Sequence, residues 1–157
     1  WNSLVGGELQ VNIDDVENSV QIDSDEEKAY IDINEQLGIS PIEFLYRPTK
    51  FIYSSYIVNL ELNTARVFYS YNEEIITVYM YKTKNQENYN ENVDGQAQKI
   101  KNIKLKSTNQ SLDLWEIVNP DNSKTYQVYF EKEGNYYSIW GKIPEKDFCD
   151  LIENISF

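Results

Sequence analysis

Asp23, Asp25 and Glu27 place oxygen donors at alternating positions, as the opening of a calcium-binding loop does. The remainder of such a loop is wrong: its sixth position holds Lys28 where the tight turn needs glycine, and its twelfth holds Asn34 where a bidentate glutamate should close the shell. The same residues have a simpler use. Ser24 followed by Glu27 forms a capping box at a helix start, with Asp25 and Glu26 in its positive first turn. Glycoside hydrolysis would need two carboxylates facing each other across a sugar-sized cleft. Glu61, Glu73 and Glu74 fall at predicted turns, where solvated charge is the ordinary role. A nucleophilic cysteine relies on a basic neighbour, and with no histidine in the chain the usual pairing cannot form around Cys149. Cys149 is alone, so it makes no intramolecular disulfide, and beside Phe148 and Leu151 it reads as a packing thiol. Catalytic residues, metal ligands and cofactors are therefore not expected.

The 13 tyrosines make a stronger functional case. An exposed phenol offers a flat apolar ring with a hydrogen-bonding tip, suited to sugars, peptides or lipids. Tyr53, Tyr69, Tyr71, Tyr79, Tyr126, Tyr129 and Tyr137 are the candidates for such a binding surface. The structural alternative is that one set packs beneath helices while the other makes cross-strand pairs on an open face.

The elements that must position these rings are legible in the pattern. Ala29, Ile33 and Leu37 recur every four residues, with Gly38 and Pro41 behind them, which predicts a helix over about 25–37. Runs rich in β-branched and aromatic residues follow at 51–60, 65–71 and 75–82, separated by short polar turns, and so predict an antiparallel meander. In the second of these, Val67, Tyr69 and Tyr71 share one face, and Arg66, Phe68 and Ser70 the other. Residues 83–98 are polar and Asn-rich and read as a long loop. Four more strands are expected at 99–106, 112–118, 125–131 and 136–140. Pro144 then starts a second helix over about 144–155 that presents Phe148, Leu151, Ile152 and Ile155 on one side. The fold class is α+β: a curved antiparallel sheet of about seven strands, with both helices packed on one face. Residues 1–22 read as an acidic arm or edge strand, and 23–157 as a single domain.

Charge narrows the partners. The 26 acidic and 14 basic residues give a formal net charge of -12, and residues 1–40 hold ten of the carboxylates against Lys28 alone. Such a field is repelled by phosphate backbones and anionic headgroups, so neither nucleic acid nor direct membrane binding is expected, while a cationic partner is compatible. The chain has no apolar run of about 18 residues, the length that spans a bilayer. It starts at Trp1 without Met, and an anchor or leader upstream of Trp1 is expected.

The stretch 27–81, with Leu37-Gly38-Ile39, Tyr46-Arg47-Pro48, Ala65-Arg66-Val67-Phe68-Tyr69-Ser70-Tyr71-Asn72 and Ile75-Ile76-Thr77-Val78-Tyr79, resembles the domain-of-unknown-function family numbered 4367. The ending Tyr136-Tyr137-Ser138-Ile139-Trp140-Gly141-Lys142-Ile143 with its terminal helix is similar to the same family, so the resemblance covers about residues 25–156. It implies an extracytoplasmic domain of Gram-positive bacteria, behind a single N-terminal membrane helix, with some members resembling anti-sigma-factor or sporulation-linked surface proteins. The family assigns no catalytic residues, so none carries over. The resulting expectation is a non-catalytic sensory or protein-interaction module of a membrane-anchored regulator, whose partner is another protein or a cell-surface component. The alternative is a lipid or hydrophobic-ligand carrier resembling lipoprotein-sorting folds, which would need an apolar cavity between helix and sheet.

Overall fold

A computed structural model of the protein describes residues 24–83 and 96–157. The expected acidic arm at 1–22 and most of the expected Asn-rich loop lie outside the described residues. Helix α1 spans Ser24–Leu37, followed by the short strand β1 (Glu43–Phe44) and by β2 (Phe51–Asn59), β3 (Thr64–Tyr71) and β4 (Glu74–Lys82). Then come β5 (Gln98–Lys104), β6 (Ser111–Val118), β7 (Lys124–Lys132) and β8 (Asn135–Gly141), helix α2 (Glu145–Glu153) and the short β9 (Ile155–Ser156). Gly38, at φ +71°, closes α1 in the left-handed conformation, and its N–H donates to the Asn34 carbonyl.

Seven strands form one antiparallel sheet in the order β2-β3-β4-β8-β7-β6-β5. Two meanders are thus joined through their last strands, β4 against β8, and the chain leaves β4 near the centre to re-enter at the far edge as β5. Two tight hairpins hold the registers. Asn72 and Glu73, and likewise Glu133 and Gly134, all have positive φ, which matches the twist of the strands they join.

Both helices lie over one face of this sheet. Beneath them sit Val67, Tyr69, Val78, Met80, Val128, Tyr137 and Ile139, packed against Ile33 and Leu37 of α1 and Phe148, Leu151 and Ile152 of α2. Period-two alternation sends Tyr79, Tyr81 and Tyr136 to the opposite face, where Tyr129 and Trp140 pack against them. A bulge between Tyr53 and Ser55 lets Tyr53 and Tyr56 both point to the helix side although they are three residues apart. Gly141 admits a close approach by a neighbouring strand: a Cβ there would lie 2.9 Å from Ile76 Cγ1.

The closing helix is shorter than its apolar spacing predicts. It ends at Glu153, and Ile155 belongs instead to β9, which pairs antiparallel with β1. Ile155 stays fully buried, because a strand side chain can face the same core. The Leu45 N–H, donating to the Asn154 carbonyl at 3.0 Å, extends this tie between the approach to β2 and the end of the chain.

Candidate functional site

The seven candidate tyrosines do not form one surface. Tyr69, Tyr71, Tyr126 and Tyr137 are buried on the helix side, where the half-buried Tyr53 meets Tyr69 edge-on with ring centroids 6.0 Å apart. Tyr79 and Tyr129 lie on the side that neither described helix covers, the helix-free side among the described residues. The division is the structural alternative: one set under the helices, the other in cross-strand contacts.

On the helix side the phenol hydroxyls are engaged within the protein. The Tyr71 hydroxyl donates to Asp147 Oδ2 on α2 at 2.5 Å, Tyr126 to Glu116 Oε2 at 3.2 Å, and Tyr137 to the Ser40 carbonyl at 2.6 Å. Burial, reinforced by Asp147, pushes the Tyr71 hydroxyl up to about 12. Burial and Glu116 push Tyr126 to about 12 as well.

Tyr69 belongs to a network that local sequence patterns do not reveal. Glu26 on α1 is fully buried, and Arg47 clasps it with Nη1 and Nη2 each 2.8 Å from a carboxylate oxygen. The hydroxyls of Tyr69 and Tyr30 donate to the same Oε2 at 2.7 and 2.5 Å. Arg47 Nε donates to the Phe44 carbonyl at 2.8 Å, which ties the pair to β1. The guanidinium lies 5.7 Å from the ring centroid of Phe51, and Phe51 stacks on Tyr69 at 4.6 Å. Burial opposes the charge on Arg47, but the hydrogen bonds and field of Glu26 outweigh it and hold the guanidinium protonated. Burial raises both Tyr30 and Tyr69, with the Glu26 charge adding to it, so both stay neutral donors. With four donors on one carboxylate, this is a clamp joining helix to sheet rather than a reactive acid.

The residues considered for chemistry are dispersed. Glu61 and Glu73 are exposed at turns, and Glu74 borders a surface hollow of about 410 Å³ with Lys124, Tyr126 and Lys142. Cys149 is buried against the sheet, and burial raises its thiol above the ordinary value despite the nearby Lys101. Among the described residues no three His, Cys, Asp or Glu side chains are grouped to hold a metal. Asp25, which opened the calcium-like pattern, lines a crease of about 330 Å³ between α1 and β2, together with Lys28, Tyr53, Ser54, Ser55 and Tyr56.

The opposite side of the sheet is not bare, since Tyr79, Tyr81 and Tyr136 are buried there. The helix-free side carries a rank of rings: Tyr81 meets Tyr136 at 4.8 Å, Trp115 stacks over Tyr129 at 6.4 Å, and Arg66 lies 4.9 Å above Tyr79. Beside it, Ile52, Ile57 and Ile75 expose more than half of their surface. Strand register puts Ile52 and Ile75 on either side of Ser70. Neither the tryptophans nor these isoleucines figured among the expected site residues, because strand parity alone does not say which face the helices cover.

A family model described as Domain of unknown function (DUF4367) matches residues 41–155. The chain belongs to this family. The match begins at β1 and takes in the whole sheet and α2, so Arg47 and Tyr69 of the clamp lie inside it while α1 and Glu26 precede it. No curated protein and no solved structure matches the chain.

Proposed function

We propose that this DUF4367 domain is a non-catalytic binding module that serves as the extracytoplasmic sensory or interaction part of a membrane-anchored regulator. Its partner is another protein or a cell-surface component. The observation that carries this reading is the contrast between a tied-off interior and an apolar, uncharged outer edge where Ile52 and Ile57 are 59% and 55% exposed. Exposed apolar side chains grouped on one flank suit macromolecular contact. The carrier alternative draws less support, since the layer between α1 and the sheet is occupied by Ile33, Phe44, Phe51 and Tyr69 in direct contact.

Two measurements on intact cells making the natural full-length protein test it. An external protease is expected to remove the domain without lysis, and a photocrosslinking residue in place of Ile57 is expected to form a discrete adduct with one protein. A domain that is cleaved only after lysis would sink the location. A lipid-sized mass retained by the purified protein in native mass spectrometry would instead revive the carrier.

A further inference from the structure

We infer that the hollow where β6 parts from β7 is a carbohydrate site, which seats one sugar ring of a neutral polysaccharide. This rests on the binding-module reading and names the ligand, a cell-surface component, on which that module would act. Register pairs join β6 to β7 only from Trp115↔Gln127 to Val118↔Lys124. On the other side of Trp115 the ladder stops, and a hollow of about 230 Å³ opens, lined by Gln110, Ser111, Asp113, Trp115 and Tyr129 among others. A ladder that stops leaves backbone donors and acceptors to other partners. The rings of Trp115 and Tyr129 lie within 16° of parallel, with centroids 6.4 Å apart. Both are half-buried, so flat aromatic surface borders the hollow.

These groups match the two aspects of a pyranose. Its C–H faces are apolar and pack on an aromatic ring, while its hydroxyls need donors and acceptors side by side. A carboxylate accepts from two neighbouring hydroxyls, an amide both accepts and donates, and a hydroxyl does either. Asp113, Gln110 and Ser111 supply one of each, and Asn102 stands opposite Asp113 across the β5–β6 ladder to extend the rim. Asp113 and Ser111 are exposed, and among the described residues neither the Gln110 side-chain amide nor the Ser111 hydroxyl has another hydrogen-bond partner. The Asp113 carboxylate lies 3.9 Å from Lys99 Nζ with both side chains about half exposed, a pair that a ligand displaces at little cost. Size and charge select the occupant. The volume falls below the roughly 300–1,000 Å³ of sites that enclose a whole ligand, so it suits one ring of a chain that continues over the surface. An apolar peptide anchor would use the rings but strand the polar rim, which a sugar satisfies. The net charge of -12 opposes phosphate- or uronate-bearing polymers, so the sugar is neutral.

The test titrates the 157-residue chain with linear hexaoses of α-linked glucose, β-linked glucose and N-acetylglucosamine, and with an anionic oligogalacturonate, read by calorimetry and tryptophan fluorescence. At least one neutral hexaose is expected to bind, with a Kd on the order of a millimolar for so small and open a site, and the galacturonate is expected not to. Asp113→Ala should weaken binding about tenfold through the lost charge-assisted hydrogen bond. Trp115→Ala should weaken it about as much and remove the fluorescence change, whereas Trp115→Phe keeps a ring and should retain most of the affinity. Circular dichroism separates these losses from unfolding, and if Trp115→Ala does not fold, the exposed Asp113→Ala decides. The inference is overturned if none of the neutral hexaoses binds, if the galacturonate binds better, if Asp113→Ala binds as the parent does, or if bound sugar shifts amide resonances away from β6 and β7. A native protein crosslinked at Ile57 without any sugar binding would end this inference and leave the binding-module reading standing. Sugar binding by a domain that protease reaches only after lysis would keep this site and remove the location.

Discussion

The two helices cover the same face of the sheet but are held there by different physics. Helix α2 is nine residues long and buries Phe148, Cys149, Leu151 and Ile152, an apolar face that needs no instruction beyond removal from water. Helix α1 has fourteen residues and buries only Ala29, Ile33 and Leu37 as apolar contacts, with Glu26 as its fourth buried residue. A narrow apolar stripe lets a helix slide or roll at small cost. The fork of Arg47 on Glu26, with two phenols on the same carboxylate, is directional and specifies one orientation. Buried ion pairs contribute little net stability for their desolvation, so the difference teaches that α1 is aligned by charge where α2 is held by area.

Breaking one partner on each side gives the largest expected effects. Arg47→Ala leaves Glu26 buried without its counter-ion and is expected to destabilise the fold by about 3–5 kcal/mol. Phe148→Ala opens a cavity under α2 at a similar cost of about 3–5 kcal/mol. The two sides part in the rescue. Adding Glu26→Leu to Arg47→Met should restore much of the loss, because the stranded charge is gone, whereas no second truncation beside Phe148→Ala refills its cavity. Denaturant titrations of Arg47→Ala, Phe148→Ala and the double variant read this directly. A double variant no better than Arg47→Ala would show that the clamp is held by packing and not by charge.

The unequal legibility of the two helices in the sequence has the same origin. Phe148, Leu151 and Ile152 advertise α2 by spacing alone, since area is a local property of one helix face. The seven strands were legible for that reason too, in the β-branched and aromatic runs and in the parity that puts Val67, Tyr69 and Tyr71 together. Glu26 was not: near a helix start, a glutamate reads as a partner of the helix dipole. Tyr30, one turn on, is a local partner, but Arg47 and Tyr69 lie 21 and 43 residues away, a separation that no local pattern encodes. The junction of β4 with β8 and the small β1–β9 pair are long-range facts of the same kind. The candidate surface suffered most. Parity sorts tyrosines into two sets but cannot say which set the helices cover, and the bulge before Ser55 resets parity within β2.

A smaller effect should separate the two sides at alkaline pH. Burial and Glu26 raise the hydroxyls of Tyr30 and Tyr69 on the α1 side, and Tyr71 and Tyr126 on the other half are raised to about 12. Phenols of an unfolded chain ionise near 10. Above that pH the unfolded state holds fewer protons than the folded one, so stability is intact below about pH 10 and falls as pH rises through the folded values. For the buried Tyr69 alone the slope is about 1.4 kcal/mol per pH unit. Stability measured from pH 8 to 11 alongside tyrosinate absorbance should show this decline, and Tyr69→Phe should flatten it. Tyrosinate forming at the unperturbed pH in the folded chain would remove the argument.

The smallest effect belongs to the polar rim of α2. Lys101 on β5 meets Glu145 at the start of α2 with 2.8 Å between Nζ and Oε2, and both side chains are more than a third exposed. In water that pair is screened and costs side-chain freedom to hold, so Lys101→Ala should change stability by less than about 1 kcal/mol. It should change less still at high salt, where the interaction fades within a few ångströms. The near-equal distances in the two ion pairs, 2.8 Å for Lys101 and 2.8 Å for Arg47, make this a controlled contrast: geometry is matched and burial is not. If burial sets the worth of a partner, the two truncations should differ by several kcal/mol. A Lys101→Ala loss as large as that of Arg47→Ala would mean that α2, too, is aligned by charge.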